Sequence, residues 1–309
     1  MHASSRRAAA HLSRLLVATA LFLTASLLAP RPVCADEAPP RKSRVEWSAL
    51  WPRFHVWEYA ATGVLDVANY YLYYDTVPPP QPKWRGDNVF DDTVRGWLRA
   101  ETPGGRQRAA RASDLLALTR YIVPFGIDLP VTLLIHRQVG VTWQLLMMDL
   151  EAFAVGGLIT NLLFWKAGRD RPDGPDCAAD AGYDPECTRG GNASFPSGHA
   201  QGVATAAGLT CVHHRYLPLY GSGAADGGAC VLMSLAAVAT GVTRIISDRH
   251  FTSDVLVGST VGFAAGYGLP WLLHYRSPAE GESGATGRAA VVLPFAGPKT
   301  VGLSVVGGL

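Results

Sequence analysis

The stretch VTWQLLMMDLEAFAVGGLITNLLFW, Val141 to Trp165, decides the fold class. It holds 25 residues, and its only charged groups are Asp149 and Glu151. Strands usually end within about 4–8 residues, so a run of this length is read as a helix. Four further stretches surround it: Leu115–His136, Ala200–Leu217, Ala229–Ile246 and Val255–Leu273, each of 18 to 25 residues. The expectation is an all-α fold, a bundle of five to six apolar helices that cross a membrane, over residues 113–276. A Gly-rich tail, 277–309, ends in AVVLPFAGPKTVGLSVVGGL, two β-like runs around a Gly-Pro turn, and is expected to form a small hairpin.

Composition agrees with a greasy, compact chain. Of 309 residues 48% are hydrophobic and 17% charged, and 27 basic residues nearly cancel 25 acidic ones to leave +2. Soluble chains carry roughly 25% charged residues. The balance excludes a disordered chain, and it lacks the basic excess that a nucleic-acid partner requires. Nothing indicates an obligatory protein partner.

Residues 1–35 read as an export address, a signal peptide or short anchor. Arg6, Arg7 and Arg14 precede an uncharged run from Leu15 to Ala29, followed by small residues around Cys34. An exported chain meets an oxidising compartment, where cysteines pair. Cys177 and Cys187 bracket the polar loop CAADAGYDPEC and are expected to form a disulfide. Cys211 and Cys230 flank the loop between two apolar stretches, where they either pair or stay buried thiols. Residues 36–112 read as a linker and an irregular segment, rich in Pro78-Pro79-Pro80 and Gly104-Gly105, with one covering helix near Val56–Tyr74. Gly258, Gly262 and Gly266, spaced by four, form a flat stripe for close helix contact, and Gly202 with Ala206 a weaker one.

Three motifs carry chemistry. The first, Lys166-Ala-Gly168-Arg169-Asp170-Arg171-Pro172, closes a long apolar helix: Gly168 suits a left-handed helix end and Pro172 blocks resumption. It presents two guanidinium groups, which bind phosphate oxygens bidentately. The second, Phe195-Pro196-Ser197-Gly198-His199, opens the helix that follows. Its N-terminal amides make an anion site, and His199 in the first turn is placed to protonate a leaving oxygen. The third is Thr243-Arg244-Ile-Ile-Ser-Asp248-Arg249-His250-Phe-Thr-Ser253-Asp254. Its His250 and Asp254 are spaced so that a carboxylate orients an imidazole, leaving the other nitrogen as a nucleophile. Arginines, an anion nest, an acid and an oriented nucleophile add up to a phosphate-processing site.

The set resembles the type 2 phosphatidic acid phosphatase and vanadium haloperoxidase superfamily, whose pattern is K-x6-R-P, P-S-G-H and S-R-x5-H-x3-D. Residues 115–275 carry the resemblance, with Thr243 in place of the usual Ser. Phe164 stands where the lysine belongs, seven residues before Arg171, and Lys166 lies two residues nearer. The resemblance implies a metal-independent hydrolase of lipid phosphate monoesters or a polyprenyl pyrophosphate, with no cofactor. It implies that Arg171, Arg244, Ser197 and the Gly198 amide hold the phosphate, with Lys166 and Arg169 beside them. It also implies that His250 attacks phosphorus to give a phosphohistidine, Asp254 orients it, and His199 acts as acid and then base. A lipid phosphotransferase would use the same residues, a vanadate-dependent haloperoxidase is compatible with the site, and a non-catalytic phosphate-lipid binder is the alternative from another class.

The cell envelope is the expected location, with the catalytic loops facing the exterior. That orientation assumes that residues 57–74 do not cross the membrane, an inference from Glu58, Asp66 and Asn69. An excess of basic residues after position 75 opposes it under the positive-inside rule. A soluble periplasmic bundle is the alternative, since Asp128, Asp149 and Glu151 interrupt the apolar runs.

Overall fold

The computed structural model describes residues 44–75, 81–84, 88–185, 187, 192–276, 291–297 and 300–306. The expected export address with Cys34, Pro78-Pro79-Pro80 and residues 277–290 lie outside the described residues. The helices are α1 (Val56–Asp75), α2 (Val89–Leu98), α3 (Pro103–Ala117), α4 (Val139–Ala167), the short α5 (Gly174–Ala179), α6 (Gly198–Tyr216), α7 (Gly223–Ile246) and α8 (Thr252–Phe263). Two of them run on beyond their regular part. α3 continues through wide π-type turns at Ile122–Asp128 and Val131–Ile135, and α8 through similar turns at Ala264–Gly268 and Trp271–Tyr275. Pro124 and Pro130 lie in the first extension and Pro270 in the second. A proline lacks the N–H that closes a helical turn and clashes with the preceding carbonyl, so such turns widen.

α6 is the axis of the bundle. All of its residues from Ala200 to His214 are buried, and it packs most extensively on α8 and α7. Burial on every side frees it from amphipathic patterning. The glycine stripe explains how closely it meets α8. A Cβ added at Gly258, Gly262 or Gly266 would strike the backbone of Ser197, Gln201 and Thr205 respectively. The packed interior forms three layers. Leu145, Met148, Val212 and Tyr275 fill one end, Ala117, Val203, Ala206 and Met233 the middle, and Ala200, Ile245 and Val255 the other end.

Four segments are long and apolar enough to cross a membrane: Pro103–Ile135, Val139–Ala167, Gly223–Ile246 and Thr252–Tyr275. Their outward faces expose Leu118, Ile122, Leu134, Ile159, Leu162, Val231, Leu232 and Leu235. The carboxylates that interrupt these runs point inward. His213 pairs with Asp149 at 3.0 Å, and His214 pairs with Asp226 at 2.8 Å and Asp128 at 3.3 Å. Intramembrane charges are tolerated where they pair inside the bundle.

One expectation for the N-terminal third is corrected. Residues 89–98 and 103–117 are helical rather than irregular. Thr102 caps α3 by accepting from the Gly105 amide, and Pro103 takes a position at the helix start where its missing N–H is harmless. Gly104 and Gly105 therefore fall in a first turn and mark no loop. The expected covering helix is present as α1, which runs alongside α4 in the same direction. The Phe54 amide donates to Gln144 Oε1 at one end, and Asn69 bonds Ala154 and Asn161 further along. Its polarity is inverted: Glu58 and Thr62 are buried, while Val64, Val67, Tyr70 and Tyr71 are exposed. Two of the polar groups that argued against insertion thus face protein; Asp66 is exposed. α1 is not among the four segments long and apolar enough to cross a membrane.

Both cysteine pairs are at bonding distance, Cys177–Cys187 in the loop after α4 and Cys211–Cys230 between α6 and α7. The C-terminal unit, residues 276–309, is described separately. It contains β1 (Val291–Gly297) and β2 (Thr300–Val306), an antiparallel pair in which Val291 faces Val306 and Gly297 faces Thr300.

Candidate active site

Three chain reversals meet at one end of the bundle. α4 stops at Gly168, which adopts the left-handed conformation with φ 51° and ψ 41°. α6 begins there with Ser197 as its cap. α7 ends and α8 begins around the turn Ser247–Phe251, where Asp248 takes a positive φ of 62°. The residues these reversals bring together surround a cavity of about 670 Å³. Its lining includes Arg171, Gly198, His199, Arg244 and His250 from the motifs, with Phe164 and Gln201. Tyr73 and Tyr74 of α1 and Arg120 and Tyr121 from the continuation of α3 close the other side.

His250 is buried, and its Nδ1 lies 2.7 Å from the Ser194 carbonyl oxygen. A carbonyl only accepts, so Nδ1 carries the proton and Nε2 keeps its lone pair. Burial, followed by the charges of Arg244 and Arg171, holds the imidazole pKa well below the usual value. Asp254 stands 3.8 Å from Nδ1, beyond hydrogen-bond reach. Its Oδ2 instead accepts from Ser194 Oγ at 2.5 Å and from the Phe251 amide at 2.9 Å. The carboxylate therefore fixes the residue whose carbonyl holds the histidine.

The arginines separate into two classes. Arg171 donates to the Arg249 carbonyl at 2.9 Å and lines the cavity. Arg244 donates to Ser113 Oγ at 3.3 Å and lines it too. Arg169 does not reach the cavity, contrary to expectation. Fully buried, it bonds Asp254 at 2.5 Å and Asp91 at 2.7 Å and lies between the rings of Trp84 and Phe251. Lys166 is likewise absent from the cavity wall; it is exposed beside Trp165, and Phe164 occupies the wall. Ser197 is fully buried, caps α6 through the Ala200 amide and is not part of the lining.

Residues outside the motifs complete the end of the bundle. Asp114 of α3 meets His199 Nε2 at 3.0 Å and lies 3.8 Å from Arg244. Asp91 of α2 accepts from Arg169, from Ser253 Oγ and from the Ser253 amide. Behind the catalytic loops, Arg95 bonds Asp248 and Asp176, and Arg249 bonds Asp173 and Asp184. Arg106 lies over the Tyr183 ring and 3.7 Å from Asp184. Much of the basic excess after position 75 is thus spent on internal pairs and says little about membrane sidedness.

Residues 146–278 match the PAP2 superfamily. The chain is 33% identical over 138 residues to a lipid A 1-phosphatase of Porphyromonas gingivalis, covering 44% of this chain and 26% of that one. It is 32% identical over 127 residues to a PA-phosphatase related-family protein of Dictyostelium discoideum, covering 38% of this chain and 44% of that one. The chain thus spans less than half the length of these relatives. Among solved structures, a transmembrane PAP2 type phosphatidylglycerolphosphate phosphatase from Bacillus subtilis aligns with TM-score 0.44 and 19% identity, over 69% of this chain and 92% of that one. The matched stretch contains all three motifs, and over it the chain is similar to the PAP2 superfamily.

Proposed function

We propose that the chain is a metal-independent phosphatase of phosphorylated lipids that works through a phosphohistidine on His250. The observation that carries this reading is that His250, with Nδ1 held by Ser194, shares one cavity with His199, Arg171, Arg244 and the Gly198 turn. In the first step Nε2 attacks phosphorus, the bond to the lipid oxygen breaks, and that oxygen takes a proton from His199. In the second, water gives a proton to His199 and attacks the same phosphorus, breaking the P–N bond and returning neutral His250. Arg171, Arg244 and the Gly198 amide stabilise the charge gathered on the equatorial oxygens; removing one such donor typically slows the reaction about 10²–10³-fold. Asp254 acts through Ser194 and through its negative charge, which favours the cationic phosphohistidine. Asp114 holds the ring of His199.

Membrane lipid is the substrate surface this reading requires, and the apolar outer faces of the candidate spans support it. We place the catalytic end on the oxidising side of that membrane, because Cys177–Cys187 lies in a catalytic-end loop. Phosphate release from long-chain phosphatidate in detergent with EDTA tests the function. Release by the wild type that is lost in His250→Ala supports it; release that needs a divalent metal contradicts it.

A further inference from the structure

The cavity contains a guanidinium that none of the three motifs supplies. Arg120 follows α3 on the same continuous helix, within the segment Pro103–Ile135 that is apolar enough to cross a membrane. Among the described residues no carboxylate pairs with it. Its Nε is buried without a hydrogen-bond partner, and its guanidinium stacks 4.6 Å from the Tyr121 centroid. An arginine at this depth is expensive, and such residues mark ligand sites when no partner is built in. The fold also makes room for it. A Cβ at Gly202 would come within 2.9 Å of Arg120 Cδ and 3.0 Å of Nη1, so the missing side chain on α6 is the notch in which the arginine lies.

The notch fixes where the charge acts. Gly202 is three residues after His199 on α6, which places the two on one face, one turn apart. His250, Arg171 and the Gly198 turn lie where α6 begins; Arg120 packs against Gly202, one turn further along α6, past the histidine that protonates the leaving oxygen. We infer that Arg120 binds an anionic group on the leaving side of the substrate, so that the site prefers a diphosphate to a monophosphate. This rests on the phosphatase reading given above. In such a substrate the bond from the transferred phosphorus to the bridging oxygen breaks. That oxygen takes the proton from His199, and the departing lipid monophosphate stays paired with Arg120. For a monophosphate the leaving alkoxide carries no second anion, and Arg120 gains nothing from it.

The test is calorimetric titration of the full-length chain in detergent with inorganic phosphate and with inorganic pyrophosphate, both free of divalent metal. The wild type is expected to bind pyrophosphate about tenfold more tightly than phosphate, as one added charge-assisted pair allows. Arg120→Gln removes most of that preference while phosphate affinity changes by less than about threefold, and Arg120→Lys keeps part of it. Gly202→Ala, which crowds Arg120 without touching its charge, shifts the preference the same way. Equal affinities in the wild type, or a loss in Arg120→Gln that is the same for both anions, would overturn the assignment. A chain that shows the preference yet releases no phosphate from any lipid would sink the phosphatase reading and leave the assignment of Arg120 as an anion site standing.

Discussion

His250 donates through Nδ1 to the carbonyl oxygen of Ser194 at 2.7 Å, and this bond decides which nitrogen is left free for the attack proposed above. The carboxylate of Asp254 secures the arrangement from one step away, through the Ser194 hydroxyl. Ser194→Ala keeps the carbonyl and removes only that tether, so it should slow turnover by about tenfold, the worth of one hydrogen bond to a charged group. Asp254→Asn should cost more, because the negative charge is lost as well. Steady-state rates of the two variants on one lipid phosphate decide the matter, and a Ser194→Ala as slow as Asp254→Asn would contradict the indirect role.

Arg169 and Arg171 should fail in different ways. Arg169→Leu leaves the buried carboxylates of Asp91 and Asp254 without their shared partner. Breaking a buried pair costs about 3–5 kcal/mol, so thermal unfolding should shift strongly downward. Arg171→Gln should unfold near the wild-type temperature while losing roughly 10²-fold or more in rate. Lys166→Ala, on an exposed side chain, should change neither stability nor turnover by a measurable amount.

The acidity of His250 gives a pH prediction. Its pKa in the folded chain lies well below the usual imidazole value of about 6.5, because burial and then the charges of Arg244 and Arg171 disfavour the charged form. The nucleophile therefore remains neutral as the pH falls through 6.5, and the acid limb of kcat/KM should appear well below that value. The same shift contributes stability that is present above pH 6.5 and is lost as the pH falls below it. A limb centred at 6.5 in the wild type would show that His250 is not held in this environment.

Gly258 links helix packing to the site. A Cβ there would stand 2.5 Å from the Ser197 carbonyl oxygen, a backbone atom that cannot step aside. Gly258→Ala should destabilise the fold by about 1–3 kcal/mol through overpacking. It should also reduce activity, since the displaced turn supports Gly198 and His199. Gly227→Ala, where nothing lies within 4 Å of the added carbon, is the matched control and should be silent in both assays.

The helices and the three motifs were legible because each is a local signal. Val141–Trp165 is long and apolar, Gly168 and Ser197 sit where a helix ends and begins, and neighbours in sequence stay neighbours in the fold. What escaped depends on residues far apart. Asp114 and Arg120 meet His199 and Gly202 across about 80 residues of chain, with no spacing rule to announce them. Two arginines two positions apart cannot be told apart by type, and only the position of Asp91 shows which of them is committed to structure. The orientation of α1 escaped for a related reason: Glu58 and Thr62 are buried while Val64, Val67 and Tyr70 are exposed, the reverse of the pattern that marks a surface helix. Pro103-Gly104-Gly105 resembles a loop by composition and is the first turn of a capped helix by position.

The central claim is that His250 carries the phosphoryl group, and acid-sensitive trapping tests it most directly. The detergent-solubilised chain is mixed with radiolabelled lipid phosphate, stopped in base within milliseconds, and mapped by digestion. The account predicts an alkali-stable, acid-labile label on the peptide containing His250. It also predicts no label and no turnover in His250→Ala. Turnover that survives in His250→Ala, or a label on any other residue, would contradict it.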